Sequence, residues 1–140
     1  MKVPAWMMFG LLLAMLLMDV TTIMVVRSHM LRATEMALDA ALVGGVNQSD
    51  RGRGRLYIDE GKGYDLAYTY FKSSLQLDSN LENNFLKKTR LRIQFIQNGE
   101  KPKVTAEVST VVTAMTTKIL GLEGVPVTVR GNRNYVGKFK

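Results

Sequence analysis

The sequence has no cysteine, one histidine and three prolines. Without cysteine there is no disulfide framework, no thiolate metal ligand and no thiol nucleophile, and the absence fits either side of a membrane. The single histidine, His29, stands at the end of an apolar run, and no Asp, Glu or His spacing matches a metal site. Asp59, Glu60 and Asp65 crowd around Gly61 and Gly63 but lack the ligand spacing of an EF-hand loop, which predicts a solvated turn. Catalytic, cofactor-binding and metal-ligating residues are therefore not expected, and the chain reads as a non-enzyme. Acidic residues are in the minority, 12 against 19 Lys and Arg, for a net charge of +7. The basic side chains cluster at Arg51, Arg53 and Arg55, and again at Arg130, Arg133, Lys138 and Lys140. Such clusters are candidate contacts for a polyanion. No aromatic residues interleave with the Arg-Gly alternation to stack bases, so nucleic acid is not an expected partner. No internal repeat or low-complexity segment is present.

What the chain has in excess is apolar length near its start. Val3 to Val26 is dominated by apolar side chains and carries a single charge, Asp19. About 24 residues at about 1.5 Å each reach roughly 36 Å, enough to cross a hydrocarbon core of about 30 Å. The run is too long for the apolar segment of a secretory signal, and no small-x-small site closes it. A carboxylate deep in such a helix opposes insertion by about 2.5 to 3.5 kcal/mol, which the surrounding Leu, Ile and Val outweigh. Asp19 is therefore expected to have a partner. The candidates are the terminal ammonium, Lys2 or Arg27 of a neighbouring copy; the alternative is an Asp19 shallow enough, eight residues short of Arg27, to reach headgroups or water.

Beyond Gly10 neither Pro nor Gly interrupts the helical pattern until Gly44. Ser28, Arg32, Glu35 and Asp39 share one stripe, and Met30, Ala33, Ala37 and Ala41 share the opposite one. Small residues along a helix allow close approach to another backbone or a sheet, and Asp19 projects onto the same alanine seam. Met30, Ala33, Ala37, Ala41 and Asp19 are thus the expected assembly residues. Gly44 and Gly45 are expected to end the helix in the left-handed conformation of a C-terminal cap.

Further along, Leu56 to Ile58 reads as a short strand and Asp59 to Gly63 as a turn. Tyr64, Ala67, Tyr68, Phe71 and Leu75 repeat at helical spacing. Ser79 and Glu82 suggest a capping box, with a brief helix over Asn80 to Leu86. Thr89, Leu91, Ile93 and Phe95 alternate with polar residues, as do Val104, Ala106 and Val108, predicting an antiparallel hairpin around Asn98-Gly99. A short helix over Thr113 to Leu120 should stop at Gly121, followed by a strand through Val125, Val127 and Val129, at an edge because Pro126 cannot donate to a ladder. The expected fold is α+β: a long N-terminal helix packed on a small antiparallel sheet with short helices alongside. Its parts are a membrane or filament-core helix over 1–26, an amphipathic continuation over 27–45 and an exposed domain over 46–140.

This layout resembles the TadE/TadG-like, type IV pilin-like membrane proteins of tight-adherence (Flp) pilus systems. The resemblance rests on the apolar first helix, its alanine-rich continuation from Ala37 to Leu42, and the strand-forming stretch Val108 to Val129 with its Gly121-Leu122 break. It implies a pilin-like structural subunit, anchored by the first helix and bundling with other copies through it in a filament core. The implied partners are the chain itself, membrane lipid and other pilus or secretion components, with the domain outside the cytoplasm or on a surface filament. Pilin precursors of this kind carry a leader cut after Gly and a Glu at the fifth mature position; after Gly10, that position here is Met15. Two alternatives are a single-pass adaptor of a secretion or conjugation apparatus and a polyanion-binding surface protein.

Overall fold

A computed structural model describes residues 4–46, 56–98 and 101–135. Arg51, Arg53, Arg55, Gly99, Lys138 and Lys140 lie outside the described residues. One helix, α1 (Ala5–Gly45), runs without interruption from the apolar stretch through the alanine seam. It is followed by α2 (Glu60–Ser74), β1 (Leu86–Asn98), β2 (Lys101–Val112), α3 (Met115–Ile119) and β3 (Val125–Asn134). The strands form an antiparallel sheet in the order β1-β2-β3, so the fold is α+β with a long first helix.

Strict alternation makes this sheet two-faced. Along β2, Val104, Ala106, Val108, Thr110 and Val112 are buried, while the intervening residues are only partly covered. Register carries the pattern across the sheet: Val108 stands between Leu91 and Val129, and Ala106 between Ile93 and Gly131. The C-terminal half of α1 lies on this inner face. Its Met30, Ala33, Ala37 and Ala41 join Phe71 of α2 and Val108, Val112 and Val129 of the sheet in one core cluster. Leu38 and Leu42 join Val46, Ile58, Val104 and Ala106 in a second.

The layers approach closely because small residues face each other. A methyl group added to Gly131 of β3 would lie 3.1 Å from Leu38 Cδ1 and 3.3 Å from Thr34 Cγ2 of α1. One added to Gly63 of α2 would lie 3.0 Å from the Phe95 ring and 3.4 Å from the carbonyl oxygen of Ala41.

Four local expectations are corrected. Helix α1 does end at Gly45, but its cap, Val46, is extended, and the positive-φ glycines among the described residues are Gly121 and Gly124. Gly45 serves proximity instead: a methyl group there would meet Gly63 Cα at 3.2 Å. Asp59 to Gly63 is not a free turn. Asp59 caps α2 by accepting a hydrogen bond from the Lys62 amide at 3.1 Å, which starts the helix at Glu60. Leu56 to Ile58 contributes only an isolated bridge, Ile58 to Val46. No helix forms over Asn80 to Leu86. Asp78 Oδ1 accepts from the amides of Asn80 and Glu82, and Asn83 Oδ1 from those of Phe85 and Leu86. These side chains take donors that a helix would need, the ordinary way in which Asp and Asn compete with helical backbone.

At the other end of the sheet, β2 passes into α3, Gly121 at φ +67° turns the chain, and β3 begins as an edge strand with Pro126 opposite Val111. The edge is where a residue without an amide proton is tolerated.

Candidate functional site

The helix α1 has two surroundings, and the change falls at Asp19. From Ala5 to Met18 it is uncovered on nearly all sides: Trp6 is 86% exposed, and Phe9, Leu12, Leu16 and Met18 are exposed with it. From Met30 to Gly45 it carries a buried stripe, with Ala37 1% exposed. The alanine seam expected to meet a sibling helix is thus filled by the chain's own sheet and α2. The reason is the one that singled it out in the sequence: small side chains let a backbone approach, and the nearest one belongs to the same chain. Met30, Ala33, Ala37 and Ala41 are core residues here and leave no surface for a second copy.

Asp19 is 8% exposed, and its partner is also internal. Its Oδ1 accepts from the Met115 amide at 3.1 Å and its Oδ2 from the Thr116 amide at 3.0 Å. Sequence reasoning looked for a cation on a neighbouring copy and missed this pairing. The overlooked signal is Ala114, the residue before α3. An alanine has no side-chain acceptor to cap the first turn, so those donors need an acceptor from elsewhere. Thr117 Oγ1 accepts from the Ala114 amide at 2.9 Å, and Asp19 takes the next two. Thr116 Oγ1 is buried as well. Asp19 therefore ties the loop between β2 and β3 to the apolar half of α1.

Around α3 the surface is largely apolar, with Lys118 exposed beside the apolar side chains. Met115, Ile119, Leu120 and Leu122 are all exposed, Leu120 by 64%. At the base of the loop, Glu123 pairs with Lys88 Nζ at 2.8 Å, and this hydrogen bond and its charge hold the carboxyl below its ordinary range.

The sheet's outer face is polar. Register aligns Arg92, Glu107 and Arg130 across the three strands, with Arg130 Nε 3.3 Å from Glu107 Oε2. Arg133, at the far end of β3, reaches α1: its Nε lies 3.2 Å from Asp39 Oδ1 and its Nη2 3.4 Å from Glu35 Oε2. Both described arginines of the expected polyanion cluster thus already hold carboxylates, which lowers the positive potential they offer. Among the described residues no group of three or more acids and histidines is placed to hold a metal ion.

By length and composition α1 can cross a bilayer, and among the described residues it is the one helix that can. Comparison of the chain with protein-family models, with curated proteins and with solved structures finds no match.

Proposed function

We propose that the chain is a non-enzymatic, pilin-like structural subunit, anchored in a membrane by the first half of α1 and assembling with other copies through that half, with its α+β domain outside the cytoplasm. The observation that carries this reading is the division of α1. Its Ala5–Met18 part projects uncovered from a domain that holds the Met30–Gly45 part in its own core. Exposed apolar surface of this extent marks contact with lipid or with another protein, and a helix apolar all round suits lipid or other copies of itself. Packing between such helices draws on fit and on adaptable side chains, which Met7, Met8, Met15 and Met18 supply.

The test follows from the same division. A lone cysteine at Leu12, in a chain that has no other, should cross-link into homo-oligomers in membranes and in sheared surface material, whereas one at Ala37 should not. A protein that remains monomeric with the Leu12→Cys label, and is absent from sheared filaments, would refute assembly through α1.

The single-pass adaptor is the second reading, favoured by the uncovered polar face around Arg92, Glu107 and Arg130. It requires co-purification with an unlike partner and no homotypic cross-link at Leu12.

A further inference from the structure

We infer that the loop from Ala114 to Leu122 is a second membrane contact: α3 lies in the bilayer interface beside α1, with Met115, Ile119, Leu120 and Leu122 among the acyl chains. This rests on the reading of α1 as a membrane helix and adds a second element to its lipid surface.

Depth is fixed by Asp19. Its two hydrogen bonds hold the start of α3 at the level of residue 19 on α1. Arg27, the first cation beyond the apolar run, is eight residues further on, or about 12 Å along the helix axis. With Arg27 at the headgroups, α3 therefore sits below them. Raising the domain until Asp19 reaches the headgroups still leaves the start of α3 level with them. In either position α3 is at or beneath the membrane surface.

The loop's chemistry suits that place. Its large apolar side chains are exposed in the protein, as are those of the apolar half of α1. Backbone donors inside lipid must find partners within the protein. Here Asp19 takes the first-turn amides, and those of Leu120, Gly121 and Leu122 bond to carbonyls of the same loop. Lys118 has a stem long enough to carry its ammonium back to the headgroups. The contact also gives Asp19 a role: it supplies acceptors to α3 at a depth where water is scarce.

The absence of cysteine makes the test clean. The full chain carrying Leu120→Cys, labelled with an environment-sensitive fluorophore, is reconstituted into phosphatidylcholine–phosphatidylglycerol vesicles with and without brominated acyl chains. Trp6, the sole tryptophan, reports on α1 in the same sample, and a label at Asn132→Cys reports on the far end of β3. The expected result is a blue-shifted Leu120 label quenched by bromolipid to a degree similar to Trp6, with the Asn132 label unaffected. Quenching of Trp6 alone, with the Leu120 label emitting as in water, overturns the inference and leaves the membrane reading of α1 intact. A blue-shifted Leu120 label that bromolipid does not quench means that protein covers the loop, which also overturns it. If Trp6 is not quenched, both readings fall.

Discussion

The two halves of α1 have similar secondary structure and opposite surroundings. Ala5–Met18 carries large side chains around its whole circumference and touches little of its own chain. Met30–Gly45 carries small ones on one side, which the domain covers completely. The difference teaches that apolar character alone does not say what a helix face will meet. Large residues all round suit a solvent of lipid or sibling helices, whereas a seam of alanine suits a backbone that can come close. Between the halves stands one carboxylate, and the structure uses it as a joint.

Matched substitutions in the two halves sharpen the contrast. The largest expected effect is in the domain core. Phe71→Ala empties a fully buried site against the alanine seam and should lower domain stability by about 3–5 kcal/mol. Phe9→Ala, in the projecting half, should leave denaturant unfolding in micelles unchanged. Next comes overpacking. Ala37→Leu pushes α1 off the sheet and should destabilise by about 1–3 kcal/mol, while Ala14→Leu should be silent in the same measurement. Equal effects in the two halves would break the distinction.

Asp19→Ala probes the joint. The amides of Met115 and Thr116 lose their acceptors, so hydrogen exchange there should accelerate while the β1–β2 ladder stays protected. Unchanged exchange at those two amides would show that Asp19 does not hold α3.

The smallest expected effect is electrostatic. Lys88 holds Glu123 below the usual carboxylate range, so its stabilisation is complete above the ordinary Glu value of about 4.3 and is lost as pH falls through the lowered one. The pair is exposed and salt should weaken it further. Lys88→Met should therefore narrow slightly the stability difference between pH 7 and pH 3. Asp78, lowered by the Glu82 amide, continues to respond and serves as the internal reference.

Much of the fold was legible where one physical signal dominates. Alternation in Leu91–Phe95 and Val104–Val108 marks the hairpin, and Pro126 marks the edge. The uninterrupted pattern from Leu11 to Val43 marks one helix. Legibility failed where side chains make bonds at a distance or compete with the backbone. Asp78 and Asn83 divert the amides that a helix over Asn80–Leu86 would use. Gly45 and Gly63 are there for contact with each other's helices, which no local pattern reveals. At the candidate site, spacing correctly put Asp19 and the alanines on one side of α1. What Asp19 meets is a loop almost a hundred residues away, read only as a short helix.

The most direct measurement is a nitroxide scan of α1, one cysteine at a time, in vesicles at high lipid-to-protein ratio. From residue 7 to 17 oxygen accessibility should be high and flat, the sign of lipid on all sides. From 30 to 45 it should oscillate with helical period, with minima at Met30, Ala33, Ala37 and Ala41. A water-accessible break between Asp19 and Arg27, or alanine positions as accessible as their outward neighbours, would contradict a single helix shared between two surroundings.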